Sequence, residues 1–152
     1  MIFGKLPAHG DFVCRGMAAG EQAEFDRALS ASIHAAQERF GEGYREAFLC
    51  TPPWRCVTPA EGGFLGGAIA PSMDRAERLF PLFLARRCNS RAEAGGYAQA
   101  CEDLLFRAIP ELWPVDRLVA EAEAMERAGS ADAAEPADGW WLEGGDSLPE
   151  PT

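Results

Sequence analysis

The chain reads as an α+β domain, a mainly antiparallel sheet carrying helices on its faces. Three observations predict it. Helical periodicity is confined to two blocks, 21–49 and 91–128. Apolar, strand-like runs follow one another between the blocks, from Trp54 to Arg86. Glycine- and proline-bearing turns separate those runs where a βαβ sheet would need helices. Strands in succession, with helices grouped before and after, favour antiparallel pairing. A chain of 152 residues, 47% hydrophobic and 25% charged, is large enough to bury one core without staples.

Taken in order, Ile2-Phe3-Gly4-Lys5-Leu6 is a short strand stopped by Pro7, and Gly10 serves a turn. From Glu21 to Phe40, residues Phe25, Leu29, Ile33 and Ala36 fall on one helical face, and Gly41 is a stop signal. His34 belongs on the outer side of that helix. A shorter helix, Tyr44 to Leu49, ends before Pro52-Pro53. Trp54 to Thr58 alternates as a strand, Glu61-Gly62-Gly63 turns, and Phe64 to Ala70 is a glycine-containing buried strand that neighbours approach closely. Leu82 to Arg86 is a third strand. Helical spacing returns from Arg91 to Ile109, with Tyr97, Cys101, Leu104, Leu105 and Ala108 on one side. After Pro110 and Pro114, Val115 to Ala128 forms a further helix with Leu118, Val119, Ala122 and Met125 inward.

The expected organisation is a domain over 1–128, an acidic linker or loop over 129–138, and a tryptophan-bearing terminal strand and tail over 139–152. Trp140 and Trp141 are expensive to leave in water, so they return as a strand to the sheet in preference to forming a sticky peptide for a partner.

The net charge of −10 is uneven: residues 1–118 hold 15 acids and 13 bases, whereas 119–152 hold nine acids and Arg127. Nucleic acid and anionic lipid both require basic surface, so neither is an expected partner. The acidic end is a solvated tail or a complement to a basic patch on a protein. No run approaches the roughly 20 apolar residues of a membrane span, and no signal peptide is evident, so a cytoplasmic location is expected.

Chemistry is sparse. Five cysteines, at 14, 50, 56, 88 and 101, form no CxxC motif and do not pair with His9 or His34 at a zinc spacing. Cys88 and Cys101 read as small core residues, and Cys14 is set apart by its neighbour Arg15. Ser72, His9 and Asp11 are the residue types of acyl transfer, yet no G-x-S-x-G elbow is present and His9 lies two residues from Asp11. Gly62, Gly63, Gly66 and Gly67 are not followed by Gly-Lys-Ser/Thr, so they suit a hairpin better than a phosphate. Asp11 and Asp74 are too few for a hard cation. No cofactor or metal is expected.

Two segments exceed what strands or helices need: Gly4-Lys5-Leu6-Pro7-Ala8-His9-Gly10-Asp11-Phe12 and Pro71-Ser72-Met73-Asp74-Arg75-Ala76-Glu77-Arg78-Leu79-Phe80-Pro81. Charges set among prolines and aromatics pair with one another, and Arg15, Arg55, Asp74, Arg75, Arg78 and Asp11 are expected to pin the first segment to the second. Loops so held also form a partner-binding surface.

Together with Arg15, Trp54-Arg55 and Gly139-Trp140-Trp141, these segments resemble the TagF/ImpM family associated with bacterial type VI secretion. The likeness covers residues 1–110 and departs at Ala76-Glu77-Arg78, where the family tends to have glycine before the arginine. The resemblance implies a three-layer α/β/α domain with an antiparallel sheet, longin- or profilin-like, and a cytoplasmic, post-translational regulator that represses secretion. The implied partner is a forkhead-associated scaffold protein, in a pathway with a threonine kinase and a phosphatase. It implies no catalytic residue. The residues expected to bind a partner or shape the motif are Lys5, Asp11, Arg15, Trp54, Arg55, Ser72, Asp74 and Arg78. The alternatives are a hydrolase using Ser72, His9 and Asp11, or a structural component of the secretion apparatus.

Overall fold

The computed structural model describes residues 1–129, 139–141 and 147–148. Along the chain lie β1 (Ile2–Gly4), β2 (Val13–Arg15), α1 (Ala19–Phe40), a 3₁₀ turn (Gly41–Gly43), α2 (Tyr44–Leu49), β3 (Trp54–Ala60), β4 (Gly63–Ala70) and β5 (Leu82–Cys88). There follow α3 (Arg91–Ala108), α4 (Val115–Ala128), β6 (Gly139–Trp141) and β7 (Ser147–Leu148). The sheet order is β2-β1-β5-β4-β3-β6-β7, and every neighbouring pair is antiparallel. The α+β class with an antiparallel sheet is as the sequence predicts.

Side-chain alternation divides the sheet into two faces. Ile2, Val57, Ala68, Ala70, Leu82 and Leu84 point to one side, where they join Tyr97, Cys101, Leu104 and Leu105 of α3 and Leu118 and Ala122 of α4 in the main core. Cys56, Phe83 and Ala85 point to the other, where Phe25 of α1 and Leu65 and Ile69 of the sheet cover them in part. Helix α3 lies very close to β4. A Cβ on Gly66 would collide with the backbone of Ala94, which is why this strand needs glycine there. Ser90 caps α3, its hydroxyl accepting from the Glu93 amide at 3.1 Å, and Glu93 in turn accepts from the Asn89 amide at 2.8 Å.

Helix α1 differs. It runs for 22 residues, yet none of them is buried. Phe25 is its anchor, set edge-on to Phe3 at 5.7 Å and against Phe83 at 4.5 Å. The predicted face of Phe25, Leu29, Ile33 and Ala36 is half-buried, and His34 is exposed as expected.

Two differences from the sequence reading have physical causes. Strand β1 ends at Gly4, whose φ of +136° leaves the extended region, so Lys5 and Leu6 lie beyond it. Strand β2 is three residues long and carries no periodicity from which it could be predicted. Strand β6 pairs with β3, with Trp140 opposite Cys56, and β7 then pairs with β6. The expected linker at 129–138 lies, apart from Gly129, outside the described residues, as does most of the 139–152 tail. Among the described residues no helix is long and apolar enough to cross a membrane.

Candidate functional site

Register brings the two motif segments together. Gly4 pairs with Leu82, so the loop leaving β1 and the loop entering β5 emerge at the same end of the sheet. A side chain at Gly4 would strike the Pro81 carbonyl, so glycine permits this approach. The connection from β4 to β5 folds back on itself through a bridge between Met73 and Leu79.

Asp74 organises both loops. It is 1% exposed, and every part of its carboxylate is engaged. Oδ1 accepts from the backbone amides of Ala76 and Arg78, both at 3.0 Å. Oδ2 accepts from Arg78 Nε at 2.8 Å and pairs with Lys5 Nζ at 2.9 Å. Burial alone would raise its pKa. The hydrogen bonds from the Arg78 backbone and from the Lys5 and Arg78 side chains outweigh that and hold it well below the carboxylate range. Lys5 is itself buried, so each charge answers the other.

Further bonds join the loops. The buried Ser72 hydroxyl donates to the Lys5 carbonyl at 2.7 Å. The Arg75 amide donates to the His9 carbonyl at 2.8 Å, and its guanidinium donates to the Ala8 carbonyl. Arg78 Nη2 donates to the Gly10 carbonyl at 2.8 Å. Above them stands Phe12, 48% exposed, stacked on Phe3 at 5.9 Å and edge-on to Phe80 at 4.7 Å. Lys5 Nζ lies 5.1 Å from the centre of the Phe12 ring.

The departure at 76–78 now has a structural meaning. Glu77 holds φ +60°, a left-handed conformation that favours glycine. Asp74 closes the turn around it, accepting from the Glu77 amide at 2.9 Å. Glycine before the arginine suits this backbone, and here the surrounding bonds hold a glutamate in it instead.

Lys5, Ser72, Asp74 and Arg78 thus form one constellation, and Asp11 flanks it without an ion-pair partner among the described residues. Arg15 stands apart on β2, where it pairs with Asp116 at 3.6 Å. Trp54 and Arg55 are on β3, on the far side of β4 and β5 from β1. Arg55 reaches α3, donating through Nε and Nη2 to Glu102 Oε2 at 2.9 and 2.6 Å. The expected network therefore splits: Arg75 and Arg78 pin the loops, whereas Arg15 and Arg55 brace other elements. Glu102, 3% exposed, is a residue that sequence reasoning missed. Its position, four after Ala98 and three before Leu105 on the buried stripe, carried the signal.

The same geometry does not assemble a hydrolytic triad. The Ser72 hydroxyl is committed to the Lys5 carbonyl, and His9 Nε2 accepts from the Val115 amide at the start of α4 at 2.9 Å. The base needed to activate the serine is occupied elsewhere. Among the described residues no three His, Cys, Asp or Glu side chains are placed to hold a metal. Gly62 lies in the β3–β4 turn, and Gly63, Gly66 and Gly67 lie within β4. Cys56, Cys88 and Cys101 are buried, and burial pushes the thiol pKa of Cys88 up to about 11.

Comparison with known proteins agrees with these features. Residues 1–125 match the family described as TagF N-terminal domain, type VI secretion system-associated. Nothing among curated proteins matches significantly. The crystal structure of PA0076 from Pseudomonas aeruginosa PAO1 is similar, with a TM-score of 0.66 and 28% identity. The match covers 91% of this chain and 64% of that one, so this chain spans less than two thirds of the relative's length. The chain therefore belongs to the type VI secretion-associated family defined by the TagF N-terminal domain.

Proposed function

We propose that this domain is a cytoplasmic, non-catalytic binding module that represses type VI secretion post-translationally by holding a forkhead-associated scaffold protein. Family membership supports the association with secretion. The observation that carries the binding reading is the locked pair of loops. Asp74 spends its whole carboxylate on fixing backbone amides and two cations, while Phe12 and the Arg78 side chain remain largely exposed at 48% and 62%. A rigid loop surface with an exposed aromatic and an exposed arginine has the make-up of an interface anchor. Repression would follow from occupancy: the module favours whichever state of its partner it binds more tightly.

The test is secretion output in cells that lack the endogenous protein. Wild-type protein supplied in trans lowers the amount of secreted substrate, whereas Phe12→Ala, at equal abundance, leaves secretion high. Repression undiminished by Phe12→Ala and by Arg78→Ala would remove this surface from the mechanism.

A further inference from the structure

Between the start of α1 and the aromatic floor of β1 lies a cleft of about 430 Å³, lined by Phe3, Phe12, Ala19, Gln22, Ala23 and Asp26. Its volume falls within the range of sites that accept a side chain or a small ligand. Phe3 closes the bottom, and the exposed Phe12 ring stands beside it, stacked at 5.9 Å. Ala19 and Ala23 keep the helix wall low, and the polar groups of the lining are the Gln22 amide and the Asp26 carboxylate.

The acid here differs from its neighbours. Asp74 is matched by Lys5 and Arg78, and Glu21 by Arg87. Among the described residues, Asp26 of the lining receives only the Ser30 hydroxyl, at 3.3 Å, and meets no cation. The exposed Phe12 ring beside an unpaired carboxylate forms a complement to a cation. The ammonium of Lys5 near Phe12 does not oppose this, because Asp74 neutralises it.

We infer that this cleft receives an arginine side chain presented by a protein partner, an inference that rests on the binding-module reading. A guanidinium is planar and weakly hydrated. It can lie against the exposed Phe12 ring while its edge donates to the Asp26 carboxylate and the Gln22 side-chain carbonyl. An ammonium fills the width less well and carries a tighter water shell, and an anion meets the Asp26 carboxylate.

The test is a heteronuclear NMR titration of the whole chain with N-acetyl-arginine methylamide and, separately, with N-acetyl-leucine methylamide. Saturable shifts confined to the amides of Phe12, Ala19, Gln22, Ala23 and Asp26 are expected with the arginine probe. Its affinity should exceed that of the leucine probe by about fivefold or more, and the isosteric Asp26→Asn should lose about that factor. Equal or tighter binding of the leucine probe, indifference to Asp26→Asn, or shifts scattered over the surface would each overturn the inference. Titrating the forkhead-associated protein with wild type and Asp26→Asn separates the two readings. Scaffold binding unaffected by Asp26→Asn sinks the arginine cleft and leaves the module intact. A scaffold that does not bind, beside an arginine probe that does, sinks the choice of scaffold and leaves the cleft.

Discussion

The two faces of the sheet are built to different standards. On the α3 side, glycine lets a helix touch the strand, the core is fully buried, and the Arg55–Glu102 pair is sealed within it. On the α1 side, a helix of 22 residues buries none of its side chains, rests on Phe25, and leaves an open cleft beside its first turns. The contrast teaches where stability and recognition reside. The α3 face holds the domain together. Under the proposed function, the α1 face, with the locked loops at its edge, is the one that meets another protein.

Removing half of the buried ion pair should have the largest effect. Glu102→Ala takes away the carboxylate that the buried Arg55 guanidinium meets on α3, and a loss of about 3–5 kcal/mol is expected by chemical denaturation. A loss below about 1 kcal/mol would show that water or another group reaches Arg55, and that this face is less sealed than described.

Truncating one leucine on each face sharpens the comparison. Leu105→Ala, at 1% exposure in α3, should lower stability by about 2–5 kcal/mol. Leu29→Ala, half-buried on α1, should cost less than about 1 kcal/mol. Equal losses would contradict the division of labour.

The loop network carries a pH signature. Because the folded pKa of Asp74 lies below its unfolded value of 3.8, its stabilisation is fully present above that pH and is lost as pH falls further. Asp74→Asn should therefore be destabilised relative to wild type at neutral pH, and the gap should shrink below pH 3.8. A gap that is constant with pH would mean that the carboxylate's charge is not what holds the loops.

Glu77→Gly gives the smallest effect, in the opposite direction. It relieves a left-handed residue and gives up an exposed ion pair to Arg45 of 3.6 Å, so a gain of about 0.5–1 kcal/mol is expected as a raised Tm. A lower Tm would show that the Arg45 contact matters more than the backbone strain.

How far the sequence reveals this follows the range of each signal. Local periodicity delivered α1 through α4 and β3 through β5, because Tyr97, Cys101, Leu104 and Leu105 or Leu118 and Ala122 announce a face within a few turns. The two motif loops stood out because charges among prolines and aromatics have no place in those periodicities. Their partners were harder to assign. Lys5 meets Asp74, and His9 caps α4 at Val115, through register that no local pattern encodes. Arg15 and Arg55 carry the same charge as Arg78, yet strand order sends them to Asp116 and Glu102. Residue types were legible, whereas the pairings awaited the topology.

The most direct test of the central claim is calorimetric titration of this protein with the forkhead-associated protein of the same organism. The account predicts saturable heat at micromolar affinity or better, weakened by Phe12→Ala on the loop face. It also predicts that Phe106→Ala, an exposed change on α3, leaves the affinity unaltered. No heat with the scaffold in either its phosphorylated or unphosphorylated form, or equal weakening by both variants, would contradict a binding surface built on the α1 side.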